Sequence, residues 1–114
     1  MTQPQVQSLD ALIAVQPGAV VSREIVSRSA GTVTLFAFDV DQGLSEHTAP
    51  YDALVYALEG AVEITVSGKP FTVNAGEMLI MPAHEPHGLK ALSPLKMLLV
   101  MIRSWGFAGP VYRL

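Results

Sequence analysis

The chain has no cysteine and three histidines, and histidine is the side chain whose ordinary pKa lies closest to neutrality. Two of them, His47 and His87, bracket the stretch EHTAPYDALVYALEGAVEITVSGKPFTVNAGEMLIMPAHEPH. A pair of imidazoles can move a proton near pH 7 or give lone pairs to a transition metal. Asp52 extends the second option: with His47 and His87 it makes a two-histidine, one-carboxylate set, provided that a local bulge turns it inward. On a regular strand Asp52 faces away from the side of Ala53. Tyr51 and Tyr56 offer phenols, although packing is their ordinary role. His84, in PAHEP, reads as an exposed loop residue, and Met78, Met81, Met97 and Met101 read as core filling rather than a soft metal site. No serine sits in a nucleophile turn, and no glycine loop joins a strand to a helix, so neither a catalytic triad nor a phosphate cradle is expected.

The elements that must position these groups are short and extended. Ser8–Val15 reads as a brief helix or an apolar arm, and Pro17-Gly18 ends it. AVVSREIVSR alternates like a strand and reaches a hairpin turn at Ser29-Ala30-Gly31. TVTLFAFDV is β-branched and aromatic and apolar on both faces. Asp41-Gln42-Gly43 reads as a turn, and LSEHTAP leads to a break at Pro50. DALVYALEG follows as a strand, then AVEITV, in which Val62, Ile64 and Val66 oppose Glu63 and Thr65. FTV and MLIMP supply further strands around Asn74-Ala75-Gly76, and LKALSPLKMLLVMIRS holds two more about Ser93-Pro94. MLLVMI suits a helix by composition, but its place in a run of hairpins favours a strand. Eight or nine short strands predict an all-β sandwich or barrel.

Composition limits the rest. At 114 residues, half of them hydrophobic, the chain suits one domain with one core. Its net charge of −3 and seven scattered basic residues give no footprint for nucleic acid or an anionic membrane. No apolar run approaches the roughly 20 residues of a membrane helix, and MTQPQVQSLDALIAVQPG lacks the features of a signal peptide. A cytoplasmic protein is expected.

The spacing of the histidines resembles the two motifs of the cupin family. In the second motif, Gly76 stands five residues before Pro82, and His87 takes the place of a metal-binding histidine. His84 replaces that motif's glycine and Ala91 its asparagine. In the first motif, His47 takes the first histidine position and Gly60 the closing glycine, with Gly43 two residues late. Ala49 occupies the second histidine position and Ala53 the glutamate position. The resemblance covers residues 32–103, between an N-terminal arm at 1–31 and a tail at 104–114, and implies a single-domain jelly-roll β-barrel. It implies a barrel-interior site, and in the family one divalent transition metal is commonly held by three imidazoles and a carboxylate. Here two of the four donors are methyl groups.

Three readings of function follow. One is a small-molecule-binding protein whose partly apolar pocket is lined by His47, Ala49, Ala53, Tyr56 and His87. Another is a metal-dependent enzyme of the dioxygenase or isomerase type using His47 and His87, or a metal-free acid–base catalyst. A module without chemistry of its own is a third. The resemblance also implies a homodimer, formed through an N-terminal strand and a sheet face. The doubly apolar strand and the aromatic tail at Trp105, Phe107 and Tyr112 are consistent with one.

Overall fold

Glycine and proline interrupt the chain so often that its β-branched and aromatic runs stay short. The computed structural model describes residues 3–103 and places nine strands there. These are β1 (Val20–Arg28), β2 (Gly31–Phe38), β3 (Gly43–His47), β4 (Tyr51–Glu59), β5 (Ala61–Val66), β6 (Lys69–Asn74), β7 (Met78–Met81), β8 (His87–Ala91) and β9 (Leu95–Arg103). Of the two readings of Ser8–Val15, a brief helix or an apolar arm, the helix is limited to one 3-10 turn at Asp10–Leu12, with no side-chain cap on Leu9. MLLVMI is strand, as its hairpin context predicts. The stretch LSEH, expected only to lead into a break, forms most of β3.

All strand pairs are antiparallel and fall into two sheets, ordered β1-β2-β9-β4-β7 and β3-β8-β5-β6. The sheets remain separate hydrogen-bonded layers and do not close into one continuous ladder. A shared core fills the space between their inner faces. Phe38, Ala53, Val55, Ala57, Met81, Leu95, Met97 and Leu99 come from the five-stranded sheet, and Val62, Ile64, Val73, Leu89 and Ala91 from the four-stranded one. The alternation predicted for AVEITV is realised, since Val62 and Ile64 are fully buried while Glu63 and Thr65 are only partly covered.

Gly60 lets the chain cross between the layers. It joins β4 of one sheet to β5 of the other with φ +82°, and a Cβ there would lie 2.1 Å from the Pro94 carbonyl oxygen. Only glycine meets both requirements.

The second apolar face of β2 finds its cover inside the chain. Leu35 and Ala37 are fully buried beneath Leu9, Leu12, Ile13 and Val15 of the N-terminal segment, helped by Val21, Leu58 and Leu98. Burying a side chain such as Leu35 contributes roughly 1.5–3 kcal/mol, so a short arm with few backbone bonds is held mainly by these contacts. Asp39 helps to shape the turn before β1. Its carboxylate accepts hydrogen bonds from the Gly18 and Val40 amides at 2.6 and 2.9 Å, and those bonds hold its pKa below the usual carboxylate value. The aromatic tail lies outside the described residues, and among the described ones no helix is long and apolar enough to cross a membrane.

Candidate functional site

Two neighbouring strands bring the histidines together. His87 opens β8 and His47 closes β3, and the two are direct cross-strand partners. Their rings meet edge to face with centroids 4.5 Å apart. A bulge in β3 makes this possible. Between the pairs Leu44↔Leu89 and His47↔His87, β3 spends three residues where β8 spends two. Without the extra residue, Leu44 and His47 would point to opposite faces, because strand side chains alternate. With it, both line the same cavity.

Backbone carbonyls fix the orientation of each imidazole. His47 Nδ1 lies 2.9 Å from the Ser45 oxygen, and His87 Nδ1 lies 3.1 Å from the Glu85 oxygen. A carbonyl oxygen only accepts, so each Nδ1 carries the proton, and in the neutral ring each Nε2 keeps its lone pair. His87 is 6% exposed, and burial pushes its pKa below the ordinary histidine value. The bond to Glu85 opposes that shift, and the neighbouring His47 adds to it.

The surrounding walls are almost wholly apolar. A cavity of about 40 Å³ is lined by Leu44, His47, Ala49, Ala53, Met81, His87, Leu89, Leu99 and Met101. Ala53, Val55 and Ala57 occupy the inner face of β4. The cross-strand partners of Ala53 are Met81 on β7 and Met101 on β9, so a methyl group sits between two thioether side chains. Two bonds strap the loop before His87 to the connection after His47 and to the start of β4. The Ala83 amide donates to Asp52 Oδ1 at 2.9 Å, and the His84 amide donates to the Ala49 carbonyl at 2.8 Å.

The structure therefore gathers His47, Ala49, Ala53 and His87, and it corrects the places of Tyr56 and Asp52. Tyr56 is about one-third exposed and does not line the cavity, because its neighbours Val55 and Ala57 take the inward positions of β4. Asp52 alternates away from Ala53, and no bulge at that point reverses it: β4 pairs in regular register with β9 from Tyr51 to Ala57. Its carboxylate orders the PAHEP loop instead. The Tyr51 phenol is engaged by Arg103, which donates to it at 3.2 Å and stacks over its ring. His84 is exposed, as expected, and Met81 and Met97 are core residues, whereas Met78 is 55% exposed. The lining residues missed from sequence are Leu44, Met81, Leu89, Leu99 and Met101. Leu89, two positions after His87 on one strand, carried a usable signal.

The donor set does not fit a cage for a divalent metal. Two imidazoles face methyl groups where further donors would stand, and no group of three His, Cys, Asp or Glu residues able to hold a metal occurs among the described residues. A divalent ion there would have no carboxylate to offset its charge.

Comparison with known proteins places this arrangement in a family. No curated protein matches the chain. Among solved structures, a conserved protein of unknown function from Streptococcus pyogenes is 32% identical, with a TM-score of 0.86 over 91% of each chain. A Cupin 2 conserved barrel domain protein from Leptotrichia buccalis is 36% identical, with a TM-score of 0.80 over 82% of this chain and 46% of its own. A cupin superfamily protein from Desulfitobacterium hafniense is 24% identical, with a TM-score of 0.84 over 91% of this chain and 95% of its own, a likeness of fold. The cupin domain family model matches residues 34–102, which contain both histidines, the bulge between them and the cavity they line, and the chain belongs to the cupin family.

Proposed function

We propose that this cupin is a small-molecule-binding protein whose two sheets form a jelly-roll barrel around a site headed by His47 and His87. One observation carries the reading: both Nδ1–H groups are committed to backbone carbonyls, so the neutral rings present two hydrogen-bond acceptors to an otherwise apolar cavity. A ligand that donates two hydrogen bonds from a compact head satisfies both, as an amine, a diol or a hydroxyl paired with a second donor does. The cavity volume suits a head of a few atoms, with the rest of the ligand leaving past the exposed edge of His47. The apolar walls then strengthen the polar contacts by excluding water.

The experiment is a thermal-shift and calorimetric screen of small alcohols, diols, phenols and amines on chelator-washed protein. A ligand at about 100 times its Kd adds about 2.7 kcal/mol to stability, and His87→Ala removes that gain. If no donor class binds, or if the histidine variants bind as well as the parent, the reading fails.

The orientation of the histidines also supports the enzyme alternative, because metal-binding imidazoles characteristically donate their other N–H to a carbonyl or carboxylate. For a dioxygenase or isomerase, however, the missing donors are those that would hold and tune the ion.

We also infer a homodimer through the outer face of the five-stranded sheet. One register row crosses all five strands as Val26, Val33, Val100, Leu54 and Ile80. Ile102, 58% exposed, lies on the same face beside it. An uncharged apolar row is self-complementary across a two-fold axis, since no like charges meet.

A further inference from the structure

The cavity brings together two thioethers and two imidazoles. His47 and His87 approach from the four-stranded sheet, and Met81 and Met101 from the facing five-stranded sheet, on either side of Ala53. Sheets packed face to face stand about 10 Å apart, so side chains of this length from opposite walls meet near the middle. From sequence the methionines read as filling, and Met97 behaves so, being fully buried in the core. Met81 and Met101 instead line the cavity beside the histidines.

We propose that this cavity is a binding site for a soft monovalent cation, Cu(I), held by the Nε2 atoms of His47 and His87 and the sulfurs of Met81 and Met101. Thioether and imidazole donors together match Cu(I), whereas Mg, Ca and Mn favour carboxylate, carbonyl and water oxygens. Charge selects in the same direction. None of the four donors carries a negative charge, and the Asp52 carboxylate is turned toward the Ala83 amide. Born desolvation grows as the square of the charge, so a divalent ion costs about four times as much to bury here as a monovalent one. The carbonyl bonds on both Nδ1 atoms also fix the tautomer that frees Nε2 for a metal. The replacement of donors by Ala49 and Ala53 therefore changes the class of ion the site accepts. This assignment does not rest on the organic-ligand reading.

The test is an anaerobic titration of the full chain with Cu(I) in competition with bicinchoninate, followed by copper-edge X-ray absorption. The expected result is one Cu(I) per chain withdrawn from the chelator, with both sulfur and nitrogen scatterers around it. Met81→Leu combined with Met101→Leu should weaken Cu(I) by no less than the roughly 10–100-fold that loss of an outer partner costs a metal site. Ni(II), Zn(II) and Mn(II) should compete poorly. No copper retained, a nitrogen-and-oxygen-only spectrum, or unchanged affinity in the leucine variant each overturns the proposal. The absorption measurement needs no variant, so it decides the matter even if the leucine protein folds badly. Binding of organic donors to chelator-washed protein without Cu(I) uptake removes this inference alone. Cu(I) uptake without any organic ligand removes the other reading.

Discussion

Restoring the two donors that the cupin motif lacks tests whether Ala49 and Ala53 stand on the histidines' side of the cavity. The variant is Ala49→His with Ala53→Glu. Ala53 is 3% exposed on the inner face of β4, between Met81 and Met101, so the introduced carboxyl enters an apolar wall. Overpacking plus burial of a carboxyl with few partners costs roughly 2–4 kcal/mol. At this chain length each kcal/mol moves Tm by about 4 °C, so the metal-free variant should melt about 8–16 °C below the parent in EDTA. A cage of three imidazoles and a carboxylate should then bind Ni(II) or Mn(II), and an ion at 100 times its Kd returns about 2.7 kcal/mol, or roughly 11 °C. Differential scanning fluorimetry with and without metal reads both changes, and the parent should gain under about 2 °C. A variant that melts like the parent in EDTA and gains nothing from metal refutes the placement of the two alanines. A parent that takes up Ni(II) or Mn(II) stoichiometrically refutes the argument that its donor set is insufficient.

Burial lowers the pKa of His87 from 6.5, so between its folded and unfolded values the unfolded chain binds more protons. Its contribution to stability is therefore complete above pH 6.5 and is lost as the pH falls from there toward the folded pKa. Urea midpoints between pH 8 and 5 should show that slope, and His87→Gln should flatten it; an unchanged slope would exclude His87 as its source. Gly60→Ala combines a left-handed φ with a contact on the Pro94 carbonyl and should cost roughly 2–4 kcal/mol. Gly68→Ala, with φ +81° and nothing within 4 Å, should cost only about 1 kcal/mol, so equal losses in chemical denaturation would deny the Pro94 contact any role. Light scattering at micromolar concentration should return twice the 12.2 kDa chain mass, and Val26→Lys with Ile102→Lys should return a monomer. A monomeric parent would rule out the outer-face dimer.

Most of the fold was legible because period and punctuation speak directly about strands. The alternation in AVEITV, the doubly apolar TVTLFAFDV and the turns at Ser29-Ala30 and Asn74-Ala75-Gly76 all correspond to structure. What covers the second face of β2 was less legible, because SLDALIAV states its apolar character but not which strand it will lie on. The site was legible in its histidines and obscured in its alternation. Bulges are written in backbone pairing, and LSEH gives no compositional sign that its register will slip by one residue. A carboxylate ligand would require a bulge at Asp52, whereas the bulge occurs between Leu44 and His47, where it turns an imidazole inward. Parity explains why one shift matters so much: a single extra residue moves His47 from the outer face to the inner one.

His84 shows how a departure from the motif can be read physically. The family's glycine position is occupied here by a residue with φ +69°, a left-handed conformation that costs a non-glycine residue about 1 kcal/mol. The conformation persists because the surrounding bonds define it: the His84 amide donates to Ala49, and the preceding Ala83 amide donates to Asp52. These two bonds hold PAHEP against the chain that carries His47, and the same loop presents the Glu85 carbonyl to His87. The carboxylate that only a bulge could turn into a metal ligand thus acts one step away from the site. It fixes the loop, the loop fixes the Nδ1 proton of His87, and that proton determines which nitrogen faces the cavity. Asp52→Asn keeps the loop's acceptor while removing the charge, so it should retain ligand or metal binding at the histidine pair, whereas Asp52→Ala should loosen the loop and weaken that binding. If both variants bind like the parent, the chain of control from Asp52 to the His87 Nε2 lone pair is broken.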